Sequence, residues 1–217
     1  MQSQAENGGG GASTGPAGGD PYALLGSMIM LTQSKAKTSI LDKSLSKGKT
    51  DMHLSGFALL FSEIVQYCQN RSNSVSELHS KLSDMGKQVG IKVIDLIVLR
   101  EKNYKREIKL LNMLLFIRST VWKTLFGKEA DKLEHSTDDN RQYYILEKEP
   151  LVNRFISVPK DKGNLNCAAF NAGIVEGVLE TSGFPAKVIA QWHKGITYYV
   201  IEFDESVITR DKQLDER

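Results

Sequence analysis

The chain is expected to fold as an α+β domain, several long helices packed on an antiparallel sheet of about four strands. Apolar residues recur at helical spacing through its first half, whereas alternating β-branched and aromatic segments fall in the second half. Lys194-Gly195 is a turn dipeptide between two such alternating segments. Helices first and strands later, with one helix between two strand pairs, is an α+β order.

Met1 to Asp20 is Gly, Ser, Ala and Gln with almost nothing to bury, so it cannot offset the entropy of ordering and is expected to be disordered. The folded part is expected to begin between Lys35 and Leu54. Leu54 to Gln69 has Phe57, Phe61, Ile64 and Cys68 at helical spacing, with Leu59, Leu60 and Tyr67 spreading the apolar surface beyond that stripe. A helix apolar nearly all round needs cover on more than one side, from the domain core alone or from core and partner together. Ser74-Val-Ser-Glu77 fits a capping box opening a second helix, on which Leu78, Leu82, Met85, Val89, Val93 and Ile97 hold the period. Gly86 and Gly90 on that helix imply close approach by a neighbouring helix, since each glycine costs about 1 kcal/mol against alanine. A third helix is expected from about Tyr104 to Phe126, capped by Gly127.

Lys128 to Gln142 reads as a charged, partly helical connection. Tyr143–Pro150 and Arg154–Pro159 read as two short strands, and Leu165–Ser182 as a helix rich in small residues. Phe184 to Phe203 then reads as a hairpin, with Val188, Ala190 and Trp192 opposed by Thr197, Tyr199 and Ile201.

A net charge of +2 over 217 residues advertises neither nucleic acid nor a membrane surface. Lys35, Lys37, Lys43, Lys47 and Lys49 against Asp42 form a local basic arm, read as solvated surface. Cys68 and Cys167 sit in apolar patterns rather than a disulfide framework, which points to a reducing, cytoplasmic setting. Tyr22–Leu31 is about half the ~20 residues of a membrane span, and no basic region precedes it as in a signal peptide.

Leu165–Gly195 looks most like a reaction centre, because it gathers Cys167, Gly173, Gly177, Trp192 and His193. A catalytic Cys-His pair would need an orienting group and an oxyanion hole, neither of which is recognisable. Gly173 and Gly177 lack the lysine and hydroxyl residue of a phosphate loop. His53, His79, His135 and His193 have no ligand spacing, so no catalytic, cofactor or metal residue is assigned.

"SGFALLFSEIVQYCQNR", "VWKTLFGKEADKLE" and "LNCAAFNAGIVEGVLETSGFPAKV" resemble the small subunits of the transport protein particle, TRAPP. The resemblance spans Lys35 to Arg217, leaving residues 1–34 as a Gly/Ser-rich extension and 35–217 as the small-subunit domain. It implies a non-catalytic scaffold of a vesicle-tethering complex that exchanges nucleotide on a Rab GTPase between endoplasmic reticulum and Golgi. Members of the family pair through their first helices, and the implied partners are TRAPP subunits 3 and 2, with the Rab GTPase and the membranes reached through the complex. Phe57, Leu59, Leu60, Ile64 and Tyr67, with Met85 and Val89 on the second helix, are the residues expected at the partner contact. The acyl-bearing relative, subunit 3, has a cysteine before its third long helix. "REKNYKREIK" here has none, so no acylation is expected there. The fold also looks similar to haem-nitric-oxide and hydrocarbon-binding domains. The alternative reading is therefore a ligand module with an apolar pocket at Met85, Val89 and Leu114.

Overall fold

The computed structural model describes residues 52–100, 106–158, 163 and 165–215. The expectations for the Gly-rich extension and the basic arm lie outside the described residues, as does part of the cysteine-free "REKNYKREIK" segment.

Helix α1 (Leu54–Gln69) buries Phe61, Val65 and Cys68, which recur at four- and three-residue spacing on one face. Helix α2 (Val75–Arg100) starts with the expected cap. The Glu77 amide donates to Ser74 Oγ at 3.1 Å, while the Glu77 carboxylate accepts from the amide of Asn73 at 2.8 Å rather than that of Ser74. Lys81 pairs with the same carboxylate one turn on, at 2.8 Å.

The third helical segment is shorter than expected. Helix α3 (Leu110–Phe116) passes through a π-helical turn, Ile117–Val121, into α4 (Trp122–Phe126). Gly127 ends it in the left-handed region, φ 76°. At the other end the Leu110 amide, otherwise an orphan donor, donates to Asp211 Oδ1 at 2.8 Å.

Four antiparallel strands, β1 (Lys132–His135), β2 (Gln142–Glu147), β3 (Ala186–His193) and β4 (Ile196–Phe203), form a sheet of order β1-β2-β4-β3. Two strand expectations are corrected here. Arg154–Val158, the described part of the expected strand Arg154–Pro159, is not a strand: Pro150 opens a short helix, α5 (Leu151–Arg154), and Ile156–Val158 has no regular structure. Its place beside β2 is taken by β1, from the segment expected to be a helical connection. Lys132, Glu134 and His135 are exposed on that edge strand, and such charges hide the apolar alternation while protecting the edge. The hairpin register is the expected one: Val188 pairs with Ile201, Ala190 with Tyr199 and Trp192 with Thr197. Lys194 and Gly195 take φ of 49° and 80°, the two left-handed residues of a tight hairpin turn.

Helix α6 (Ala169–Thr181) is the centre of the fold, buried at every residue from Ala169 to Leu179. A Cβ on Gly86 would fall on the Phe170 carbonyl and one on Gly90 on the Ile174 carbonyl. Reciprocally, one on Gly173 would fall on the Ser83 carbonyl and one on Gly177 on the Lys87 carbonyl. Backbone therefore meets backbone across α2 and α6, as the glycines of α2 implied. At Glu176, α6 also meets the sheet, accepting from the Val188 amide at 3.0 Å and pairing with Lys87 of α2 at 3.1 Å. Below α6 the Tyr199 hydroxyl donates to Glu147 Oε2 at 2.9 Å and accepts from Asn171 Nδ2 at 3.1 Å. A last helix, α7 (Glu205–Asp215), was not expected from the sequence; it buries Val207 and Ile208 and supplies Asp211.

Candidate partner interface

Helix α1 is seated on the glycine-crossed pair through aromatic contacts. Phe61 meets Phe170 of α6 edge to face at 5.3 Å, and Phe57 stacks on Phe61 at 5.9 Å. Cys68 Sγ lies 3.4 Å from Met85 Sδ of α2. These contacts use one face of α1. Outside it, Leu59 is 70% exposed, Leu60 55% and Tyr67 50%. Leu60 and Tyr67, seven apart, share a side of the helix, and Ile64 lies half-buried between that side and the core. The Arg71 guanidinium covers the Tyr67 ring, 3.7 Å from its centroid.

The expected contact residues thus divide. Leu59, Leu60 and Tyr67 stand open, and Phe57 and Ile64 form the shoulder. Met85 and Val89 pack against the chain's own core, and Leu114, named for the apolar pocket, is fully buried. Sequence reasoning passed over Leu96 and Leu99 at the end of α2, and Ile108, Leu111 and Leu115 around α3, all more than two-fifths exposed. The available signal was the same as for α1: "IDLIVLR" and "KLLNMLLF" carry more apolar residues than one helix face can bury.

The stretch that gathers a thiol and glycines has no comparable openness. Cys167 is 1% exposed, and burial pushes its thiol up to about 11, so it stays protonated. His193 is exposed at the far end of β3, its ring centroid 6.3 Å from that of Tyr198. Among the described residues no group of acidic, cysteine and histidine side chains gathers as a metal site. None of the described helices is long and apolar enough to cross a membrane.

A helical pair crossed on glycines, an antiparallel four-stranded sheet and a first helix left half open describe a small interaction subunit. The family profile "Transport protein particle (TRAPP) component" matches residues 57–204, and the chain belongs to that family. Within it the likeness is to subunit 5. The chain is 56% identical over 184 residues to human trafficking protein particle complex subunit 5, covering 85% of this chain and 97% of that one. Subunit 5 of Dictyostelium discoideum is 50% identical over 186 residues, 82% and 99% of the two chains. Subunit 31 of Saccharomyces cerevisiae is 26% identical, over 79% and 83%. The fold is also that of a Naegleria fowleri trafficking protein particle complex subunit 3, solved covalently bound to palmitic acid. That match has a TM-score of 0.61 at 18% identity, over 70% of this chain and 95% of the other.

Proposed function

We propose that the chain is a non-catalytic scaffold subunit of a TRAPP complex, pairing through the open side of α1 with subunit 3. The observation that carries this is the division of α1, with Phe61, Val65 and Cys68 buried while Leu59, Leu60 and Tyr67 are exposed on the same helix. Apolar side chains grouped this way on a rigid helix are what an obligate interface covers. The second exposed group, Leu96, Leu99, Ile108, Leu111 and Leu115, suits a second neighbour, which we assign to subunit 2. A middle member of a row needs two such faces. On this reading the chain contributes position rather than turnover, and reaches the Rab GTPase and the endoplasmic reticulum and Golgi membranes through the complex.

The test is pairing with purified subunit 3, followed by size exclusion and calorimetry. Leu60→Asp buries an unpaired charge in the contact and weakens pairing by about a hundred-fold or more. Ile189→Asp, at an exposed position on β3, leaves it unchanged. Equal affinity of Leu60→Asp and the parent chain would remove α1 from the interface.

A further inference from the structure

The β3–β4 hairpin offers a surface that the exposed side of α1 does not include. β3 is an edge strand. The Val188 amide donates to Glu176 Oε2 at 3.0 Å, so Val188 turns its backbone groups away from β4. By the two-residue period, Ala190 and Trp192 do the same. Near Val188 this edge is guarded, by Glu176 and by Lys187, whose Nζ lies 3.5 Å from the Glu176 carboxylate. Farther along it is not. Ile189-Ala190-Gln191-Trp192 holds no charge and no proline, and the pairing with β4 runs through it without a bulge. Those are the devices that ordinarily blunt an edge strand. Ile189 is 45% exposed and Trp192 72%.

A groove of about 830 Å³ lies on this end of the hairpin, lined by Ala190, Trp192 and Thr197 together with Lys148, Arg154 and Ile156. Thr197 is 1% exposed, yet its Oγ1 has no hydrogen-bond partner among the described residues. A buried hydroxyl left unpaired costs free energy that a bound donor or acceptor would recover. Lys148 and Arg154 are exposed, and among the described residues neither forms an ion pair, with Glu149 as their acidic neighbour at the groove.

We propose that this half of β3 and its groove form a β-augmentation site for an extended segment of a partner protein, one carrying an acidic side chain next to an apolar one. The segment's backbone pairs with the outward groups of Ala190 and Trp192. Its apolar side chain lies against the Trp192 indole, and its carboxylate meets Lys148 and Arg154. An extended segment fits better than a helix because the unmet groups are successive rungs of a backbone ladder.

The test uses the full chain and alternating Val/Thr peptides of about six residues, the length of an ordinary strand, bearing Glu, Gln or Lys at one position. Binding is read from Trp192 emission, with Trp192→Phe as control because Trp122 is buried, and from the amide resonances of Ala190 and Trp192. The Glu peptide binds and moves both amides. Ala190→Pro weakens binding about ten-fold while leaving the β3–β4 ladder intact, since it removes an outward donor only. Lys148→Glu with Arg154→Glu shifts the preference to the Lys peptide. Should Ala190→Pro fail to fold, Trp192→Ala provides the same loss. No binding, equal binding of all three peptides, or a folded Ala190→Pro that binds like the parent chain would overturn the proposal. So would binding to phosphatidylserine–phosphatidylcholine vesicles in place of the peptides.

Discussion

Glu147 is 1% exposed, and its two carboxylate oxygens have different surroundings. Oε2 accepts from the Tyr199 hydroxyl at 2.9 Å, whereas Oε1 faces Lys128 Nζ at 3.5 Å, an ion contact longer than a good hydrogen bond. Burial outweighs its partners Tyr199, Lys128 and Trp122 and holds this carboxyl above the ordinary carboxylate range. The sign follows from linkage. Below the ordinary carboxylate range both folded and unfolded chains hold the proton, and Glu147 contributes nothing to the pH dependence. As pH rises through that range the unfolded chain ionises first, so stability falls until the folded carboxyl ionises too. Glu147→Gln keeps an acceptor for Tyr199 and removes this fall. Urea unfolding across the mildly acidic range is expected to show a less negative slope of stability against pH for the variant than for the parent chain. At Cys167 the raised thiol and 1% exposure predict no alkylation by iodoacetamide under native conditions and full reaction in denaturant.

At the scale of the element, the α2–α6 crossing sets the strongest constraint. Gly173→Ala gains up to about 1 kcal/mol of helix propensity but drives its Cβ into the Ser83 carbonyl, which is backbone and cannot rotate away. Overpacking of this kind costs about 1–3 kcal/mol or more, so a net loss of stability is expected in urea unfolding. Gly195→Ala is a useful comparison: nothing lies near its Cβ, and the cost there comes from φ 80° alone. The elements also show what the sequence could disclose. Gly86 and Gly90, four apart on α2, announced a close approach by another helix, and Lys194-Gly195 between alternating segments placed the hairpin to the residue. β1 stayed hidden because Lys132 and Glu134 point to solvent and leave Leu133 as the half-buried apolar residue. The start at Leu110 depends on Asp211, a partner distant in sequence that no local pattern reveals. The exposed side of α1 was legible as excess apolar surface. Which apolar residues belonged to the core was not, because Met85 and Val89 follow the same period as the buried stripe.

For the whole molecule, the apolar groups exposed on α1 and around α2–α3 among the described residues are surface that the proposed assembly would cover. On the proposed pairing, subunit 3 binding the folded but not the unfolded chain would stabilise it by about 2.7 kcal/mol at a hundred-fold excess over Kd. For a domain of this size that corresponds to a rise in unfolding temperature of roughly 5–10 °C. Thermal scans of the chain with and without subunit 3 check this, and the rise is expected to vanish for Leu60→Asp. Such a shift separates a scaffold that completes its surface by pairing from a self-sufficient domain that meets partners transiently.

The glycine crossing has a mechanical consequence for that assembly. Where side chains interleave, a helix can slip by changing rotamers; where carbonyls sit against Cα atoms, there are no rotamers to change. α2 and α6 therefore move as one beam, with α1 attached at one place through Phe61 and Phe170 and the sheet at another through Glu176 and Val188. A load applied to α1 would reach the hairpin through this beam. In the proposed assembly, geometry set at α1 would be handed on to the hairpin without being absorbed between them.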